Sequence, residues 1–178
     1  MRGEKYKNLS VGNKMSVLGG DFLFSNATTA LAKIGDPQVT NWVAQSIADM
    51  TEAEFIDSSS ELPPQLWFDK VFLGSGSVLA HSCRGCMKLA NLEESHQTAA
   101  FQFAKHMNCI QTLSQLRNSD QAKRRRAIEH LVPAVENASE NIQRLMQESK
   151  DVASQNLALF PDSDARLSLM ELLSATAS

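Results

Sequence analysis

The spacing of apolar residues predicts helices along the whole chain. From Leu23 to Ile34, apolar and alanine residues recur every three or four positions, and Gly35-Asp36-Pro37 follows as a helix-ending signal. Pro37 suits the first turn of a second helix, which the same pattern extends to about Phe55. The segment from Asp57 to Pro64 is rich in serine and proline, which indicates a loop. Since no segment shows the alternation typical of strands, we predict an all-α fold.

Five further helices are predicted in the remainder of the chain. Four of them cover about Gln65–Ala90, Glu94–Leu116, Ala122–Leu131 and Val135–Phe160. The fifth is a short helix with Leu167, Met170 and Leu173, which Asp162 or Ser163 caps. We predict a single domain over 1–178, with an irregular segment at 117–134. In the helix from Gln65, one face carries a narrow stripe of apolar and small residues, namely Phe72, Gly76, Leu79, Cys83, Cys86 and Ala90. The small residues predict that a neighbouring helix packs closely against this face.

Composition excludes several classes of protein. The 178 residues are 43% hydrophobic and 21% charged, which is typical of a soluble globular domain. A net charge of -3 and 6% aromatic residues give no basis for nucleic-acid binding. Three cysteines are too few for a disulfide scaffold and favour a reducing compartment. No apolar run approaches the length of a membrane span, and the N-terminal sequence lacks the apolar core of a signal peptide.

The C-x-x-C at Cys83 and Cys86 is the first candidate site. It could be a redox pair or half of a zinc site. Zinc would need two further ligands, and neither a second C-x-x-C nor an H-x-x-x-H is present. A thioredoxin-like pair would need a preceding strand, which the pattern does not predict. We therefore favour the alternative that both cysteines pack in the core as small apolar residues.

Two clusters of charged residues can be explained as solvent-exposed helix surface. The basic run Lys123–Arg126 could contact phosphate or direct targeting, but a solvated helix face is favoured in an acidic chain. The acidic residues Asp49, Glu52, Glu54 and Asp57 could share a hard cation, although we expect them to form an exposed helix end. No nucleophile signature, P-loop or dinucleotide fingerprint is present.

Four stretches in order resemble the trans-prenyl diphosphate synthases. They are NKMSVLGGDFLFSNA at 13–27, WFDKVFLGSGSVLAHSC at 67–83, AFQFAKHMNC at 100–109 and LALFPDSDARLSLMELL at 157–173. The resemblance implies part of the isoprenoid-synthase-like helical bundle. In this family, two aspartate-rich helices hold the Mg²⁺ that neutralises a departing diphosphate.

The residues that carry this chemistry in the family are replaced here. The family pattern F-Q-x-x-D-D-x-x-D corresponds to the stretch that begins at Phe101, and its three aspartates become Lys105, His106 and Cys109. The Lys-Thr pair that contacts diphosphate becomes Gly74-Ser75. A lysine cannot hold Mg²⁺, and histidine and cysteine are poor ligands for it. The resemblance therefore implies that this chain has no catalytic residues and binds no metal.

In lacking these residues, the chain resembles the non-catalytic subunit of heteromeric, decaprenyl-type synthases. The resemblance implies a catalytic partner subunit that holds Mg²⁺, a role in making the ubiquinone side chain, a mitochondrial location, and an interface that includes Leu18, Phe22 and Phe24. Relative to the family, we expect the N-terminal half to be absent and the segment after Cys109 to be shortened. Two alternatives stay open, namely an unrelated helical adaptor or C-x-x-C redox module, and an active prenyltransferase with atypical metal ligands.

Overall fold

The computed structural model describes residues 2–56, 64–118 and 138–177, and every regular element in these ranges is helical. The helices are α1 (Arg2–Ile34), α2 (Pro37–Phe55), α3 (Pro64–Val71), α4 (Ser77–Leu89), α5 (Glu94–Asn118), α6 (Ala138–Leu157) and α7 (Asp164–Ala177). A π-helical turn, Phe72–Gly76, connects α3 to α4. The all-α prediction is confirmed. The predicted loop from Asp57, the helix at Ala122–Leu131 and the basic run Lys123–Arg126 lie outside the described residues.

The chain forms two compact units, Met1–Asn41 and Trp42–Ser178. The predicted single domain over 1–178 stays a prediction. In the first unit, the side chains of α1 from Val11 to Ala30 are exposed. None of the described helices has both the length and the apolar character needed to cross a membrane.

The junction between α1 and α2 forms as predicted, because local signals determine it. Gly35 has φ 71°, and its N–H donates to the Leu31 carbonyl at 3.1 Å, which ends α1. The Asp36 carboxylate accepts hydrogen bonds from the backbone N–H groups of Gln38 and Val39, each at 2.9 Å. These bonds cap the first turn of α2.

Helix α5 is the centre of the second unit and packs against α4, α6 and α7. Ile110 and Leu113 of α5 and Leu173 of α7 are fully buried. The core around them contains Trp67, Phe103, Cys109, Ile142, Met146, Ala153 and Leu157. Helix α6 ends at Leu157, three positions before the predicted end. Ser163 caps α7, because its Oγ accepts from the backbone N–H of Arg166 at 3.2 Å.

The π-helical turn changes which face of α4 is buried. Its bonding pattern is visible at Ser77, whose backbone N–H donates to the Phe72 carbonyl five residues earlier. A turn closed by i→i+5 bonds contains one residue more than an α-helical turn, so the positions beyond it are displaced by one. Ser77 and Ala80, each one position beyond a residue of the predicted stripe, are accordingly buried, and Gly85 is buried as well. Beyond the turn, the predicted stripe is wrong at Leu79, which is 40% exposed, and at Cys86 and Ala90, which are also exposed, whereas Cys83 is half-buried.

Candidate functional site

The candidate site is a cavity of about 310 Å³ in the second unit. Its lining comes from α3, the π turn, α5 and α6, and consists of Phe68, Asp69, Val71, Phe72, Lys105, His106, Asn108, Cys109, Leu145, Glu148, Ser149 and Val152. The structure thus brings together Lys105, His106 and Cys109, the three residues that the family resemblance aligns with aspartates. Helical geometry explains this, because positions i, i+1 and i+4 of one helix face the same side.

The π turn contributes Phe72 to the cavity lining and also contacts Asn108 of that lining. The Asn108 Nδ2 donates to Ser75 Oγ at 3.1 Å, so Ser75 contacts a residue of the cavity lining without being part of it. A Cβ added at Gly76 would lie 3.0 Å from Asn108 Oδ1, so only glycine fits there without displacing a neighbour. Gly74 has more room, since an added Cβ would have its nearest contact at 3.7 Å, the Ala53 Cβ. Asn108 was not singled out from the sequence, and no sequence signal distinguishes it from other helical asparagines.

Lys105 brings a positive charge to the α5 wall of the cavity. Its Nζ lies 4.8 Å from the centre of the Phe72 ring, a cation–π contact. Burial lowers the pKa of His106, and the charge of Lys105 lowers it further. The imidazole is therefore neutral near pH 7.

Cys109 is a protonated thiol in this environment. Burial raises its pKa to about 11, although the hydrogen bond from Ser149 and the charge of Lys105 each act to lower it. The Ser149 Oγ donates to Cys109 Sγ at 3.6 Å. Since the thiolate is the form that attacks electrophiles and binds metals, Cys109 does neither at neutral pH.

The residues of this cavity do not fit Mg²⁺. That ion requires an octahedral shell of oxygen ligands, whereas the three α5 residues aligned with the family's aspartates offer an ammonium, a neutral imidazole and a thiol. Two carboxylates, Asp69 and Glu148, also line the cavity, but both are exposed and Glu148 pairs with Arg144 at 2.8 Å. Within residues 2–56, 64–118 and 138–177, no group of three His, Cys, Asp or Glu residues is placed to hold a metal ion.

A second polar cluster lies between α2 and α4. Asp49 is only 6% exposed, and its carboxylate accepts hydrogen bonds from Ser77 Oγ and from Gln45 Nε2, the latter at 2.8 Å. The prediction that the acidic residues form an exposed helix end is therefore wrong for Asp49. It is confirmed for Glu52 and Glu54, while Asp57 lies outside the described residues. Because Asp49 is buried with two protein donors, it does not form an open cation site with these neighbours.

Aromatic and cationic side chains surround His81 beside this cluster. The ring centre of the imidazole lies 6.4 Å from that of Trp42 and 5.1 Å from that of Phe101, and the Arg84 guanidinium is 4.4 Å from the Trp42 ring centre. Burial lowers the pKa of His81, against the raising effect of the Asp49 carboxylate, and Arg84 lowers it further. His81 therefore packs as a neutral aromatic group near pH 7.

The C-x-x-C motif does not have the features of a redox pair. Cys83 is half-buried, Cys86 is exposed, and both are free thiols. The prediction that both cysteines pack in the core is therefore wrong for Cys86. Burial raises the pKa of Cys83, and the neighbouring Cys86 raises it as well, whereas a redox-active thiol needs a lowered pKa.

Leu18, Phe22 and Phe24, the residues proposed for a partner interface, all lie on α1. They are 52%, 68% and 55% exposed, respectively. Polar neighbours in α1 bond to their own helix, as when Asn26 Nδ2 donates to the Phe22 carbonyl at 2.8 Å and Thr28 Oγ1 to the Phe24 carbonyl at 2.9 Å. The large apolar side chains of Leu18, Phe22 and Phe24 are thus exposed on α1.

Comparison with known proteins places the chain in a family. The sequence profile of the family described as polyprenyl synthetase matches residues 2–112, and the chain belongs to this family. A solved structure, the apo form of an Arabidopsis medium/long-chain length prenyl pyrophosphate synthase, has the same fold, with a TM-score of 0.75 and 18% identity. The match covers 97% of this chain and 75% of that one. The predicted isoprenoid-synthase-like fold is confirmed.

Individual relatives match part of the chain. The human all trans-polyprenyl-diphosphate synthase PDSS2 is 32% identical over 109 residues, which are 57% of this chain and 27% of that protein. Decaprenyl-diphosphate synthase subunit 1 of Schizosaccharomyces pombe is 31% identical over 125 residues, 65% of this chain and 32% of its own length. A probable mitochondrial hexaprenyl pyrophosphate synthase of Yarrowia lipolytica is 29% identical over 126 residues, 65% of this chain and 28% of that protein. The matched region is thus about a quarter to a third of these relatives.

Proposed function

We propose that this chain is a non-catalytic subunit of a polyprenyl diphosphate synthase. The observation that carries the proposal is Lys105, an ammonium in the cavity at the position where the family resemblance expects a metal-binding aspartate. A fixed positive charge repels Mg²⁺, and the neutral His106 and protonated Cys109 beside it do not replace the lost oxygen ligands. Chain elongation then takes place in a catalytic partner subunit, which holds the Mg²⁺.

The names of the relatives support the proposed complex and its proposed location. One relative is a subunit of a decaprenyl-diphosphate synthase, and another is a probable mitochondrial hexaprenyl synthase. By analogy, the proposed complex is a hetero-oligomer that acts in mitochondria and makes the isoprenoid side chain of ubiquinone.

The exposed apolar side chains of α1 are the proposed contact with the catalytic subunit. Obligate interfaces are large and apolar, and burying one such side chain contributes about 1.5–3 kcal/mol. Phe22, which is 68% exposed, has most of its side chain still to bury. Leu18 and Phe24 are the other residues proposed at this interface.

Co-expression with a catalytic synthase subunit tests the proposal. Prenyl transfer from an allylic diphosphate, measured with Mg²⁺ and isopentenyl diphosphate, should appear or rise in the complex and be absent from this chain alone. Phe22→Asp should abolish co-purification, because it places a charge in an apolar interface. Ser16→Asp, which adds the same charge at another exposed position of α1, is the matched control.

Three results would contradict the proposal. Magnesium-dependent turnover by the isolated chain would show an active prenyltransferase. Failure of the wild-type chain to bind any catalytic subunit or change its activity would favour an unrelated adaptor. Normal co-purification of Phe22→Asp would show that the interface lies elsewhere.

A further inference from the structure

His81 lies at a contact between three helices of the second unit. The imidazole belongs to α4, and it packs against Trp42 of α2 and Phe101 of α5. Its Nδ1 atom is buried and has no hydrogen-bond partner among the described residues, and the same holds for the Nε atom of Arg84 one turn further along α4. Buried polar atoms are nearly always paired, so two unpaired atoms in one cluster call for an explanation.

Two charged groups have opposite effects on His81. The Asp49 carboxylate of α2 favours a protonated imidazole, whereas the Arg84 guanidinium of α4 disfavours it. Burial also disfavours the protonated form and has the largest effect. The ring therefore lies near one anion and one cation, and it is neutral near pH 7.

The other elements packed against α4 face the imidazole with uncharged groups in the described structure. The π turn has no ionisable side chain. From α5, Phe101 contacts the imidazole, whereas the Lys105 ammonium lies over the Phe72 ring instead. Glu94, at the start of α5, approaches Arg84 at 4.0 Å. The charge state of the imidazole is therefore coupled to its neighbours on α2 and α4.

Of the two charged neighbours, Arg84 is the one that can move when His81 gains a proton. Asp49 is only 6% exposed, and its carboxylate already accepts hydrogen bonds from two protein donors. The Arg84 side chain is 25% exposed, and its guanidinium lies 4.4 Å from the Trp42 ring centre, from where it can turn outward to water. Since like charges repel more strongly where solvent is excluded, a cationic imidazole displaces the arginine.

We propose that His81 is a pH-sensitive contact of the fold: when the imidazole gains a proton, Arg84 leaves the Trp42 ring and the packing of α2 against α4 loosens. Both nitrogens of the protonated ring carry hydrogens, so the unpaired Nδ1 becomes a buried donor without an acceptor, which weakens the same contact. This contact is independent of the proposed subunit role, because every group in it belongs to this chain.

Trp42 fluorescence of the full chain tests the inference. The sequence has two tryptophans, and Trp67→Phe leaves Trp42 as the single emitter while keeping an aromatic ring in the core. The folded state binds the proton on His81 less readily than the unfolded chain does, so the response should have its midpoint below the ordinary pKa of 6.5. Between about pH 7.5 and about pH 5, the emission of Trp42 should change and its quenching by acrylamide should increase.

Two histidine variants assign the response. His81→Gln, which keeps a polar side chain but does not titrate, should abolish both changes. His96→Gln is the matched control, because His96 contacts Phe160 rather than Trp42, and it should leave both changes in place. Far-UV circular dichroism should stay constant over the same pH range, since the contact loosens without unfolding the helices.

NMR titration of the His81 ring proton tests the roles of the two charged neighbours. Arg84→Met keeps an apolar stem but removes the cation, so it should raise the midpoint, whereas Asp49→Asn removes the anion and should lower it. If Asp49→Asn does not fold, the wild-type and Arg84→Met titrations decide. The inference is overturned if the His81 ring does not titrate above about pH 5, if the Trp42 response persists in His81→Gln, or if Arg84→Met leaves or lowers the midpoint.

Discussion

Replacing Asp49 with alanine tests the buried polar contact that joins α2 to the start of α4. The Asp49 carboxylate accepts hydrogen bonds from Ser77 Oγ and Gln45 Nε2, and Ser77 is 0% exposed. Alanine would leave the Ser77 hydroxyl buried without this acceptor. Leaving a buried donor unpaired costs about 1–3 kcal/mol, and hydrogen bonds to charged groups contribute about 1.5–3 kcal/mol. We therefore expect Asp49→Ala to lower the free energy of unfolding by about 2–3 kcal/mol.

Thermal and urea denaturation of the full chain measure this loss. For a chain of this size, 1 kcal/mol corresponds to about 2–4 °C in Tm, so a fall of roughly 4–12 °C is expected. Glu52→Ala, at an exposed acidic residue of the same helix, is the matched control and should change stability by no more than about 0.5 kcal/mol.

A double-mutant cycle with Ser77→Ala isolates the hydrogen bond from the rest of the substitution. Contacting residues give coupling energies of about 0.5–3 kcal/mol. If Asp49→Ala and Glu52→Ala cost the same, or if the Asp49 and Ser77 substitutions are additive, the carboxylate is not the buried acceptor that the structure shows.

Three further predictions concern the glycines, the thiols and the pH dependence. Gly76→Ala should destabilise the protein by about 1–3 kcal/mol in urea titrations, because its Cβ would lie 3.0 Å from an amide oxygen of α5, whereas Gly74→Ala, with its nearest contact at 3.7 Å, should be neutral or stabilising. Maleimide labelling followed by mass spectrometry should be fast at Cys86 and slow at the buried Cys109, whose rate should keep rising up to about pH 11; equal rates would contradict the burial pattern. Because the pKa of His106 is lowered in the folded state, the unfolded chain binds more protons below the ordinary pKa of 6.5, and the free energy of unfolding should fall as the pH falls below that value. His106→Gln should make this dependence shallower, and urea midpoints at about pH 7.5 and about pH 5.5 measure it.

Helix boundaries were predictable where neighbouring residues determine them. Gly35, Asp36 and Pro37 respectively end α1, cap α2 and occupy its first turn, and each acts on backbone groups no more than four residues away. The same holds at Ser163, which caps α7. Contacts between distant segments gave no such signal. Asp49 was expected to be exposed because its partner Ser77 is 28 residues away, and nothing in the local sequence distinguishes it from the exposed Glu52.

Of the residues that line the candidate site, only those on α5 could be predicted. Lys105, His106 and Cys109 share one helix, so their common position followed from spacing and from the family resemblance. The opposite lining comes from α6, where Ser149 contacts Cys109 across 40 residues of sequence. Helical periodicity locates a face of a helix but does not say which other helix packs against it, so neither the cavity nor its apolar lining was foreseen.

The misplaced stripe on α4 shows why periodicity fails beyond an irregular turn. The stripe assumed unbroken α-helical bonds from Phe72 onward, but the bond from Ser77 N–H to the Phe72 carbonyl makes the turn one residue wider. Gly76 then approaches Asn108, Ala80 rather than Leu79 is buried, and Asp49 accepts a hydrogen bond from the buried Ser77 hydroxyl. Buried polar groups need such partners, so the side chains of α5 and α2 stabilise the wider turn. Tertiary contacts therefore cause the wider turn. The exposure of apolar residues on α4 that results from it could not be predicted from the spacing of the stripe.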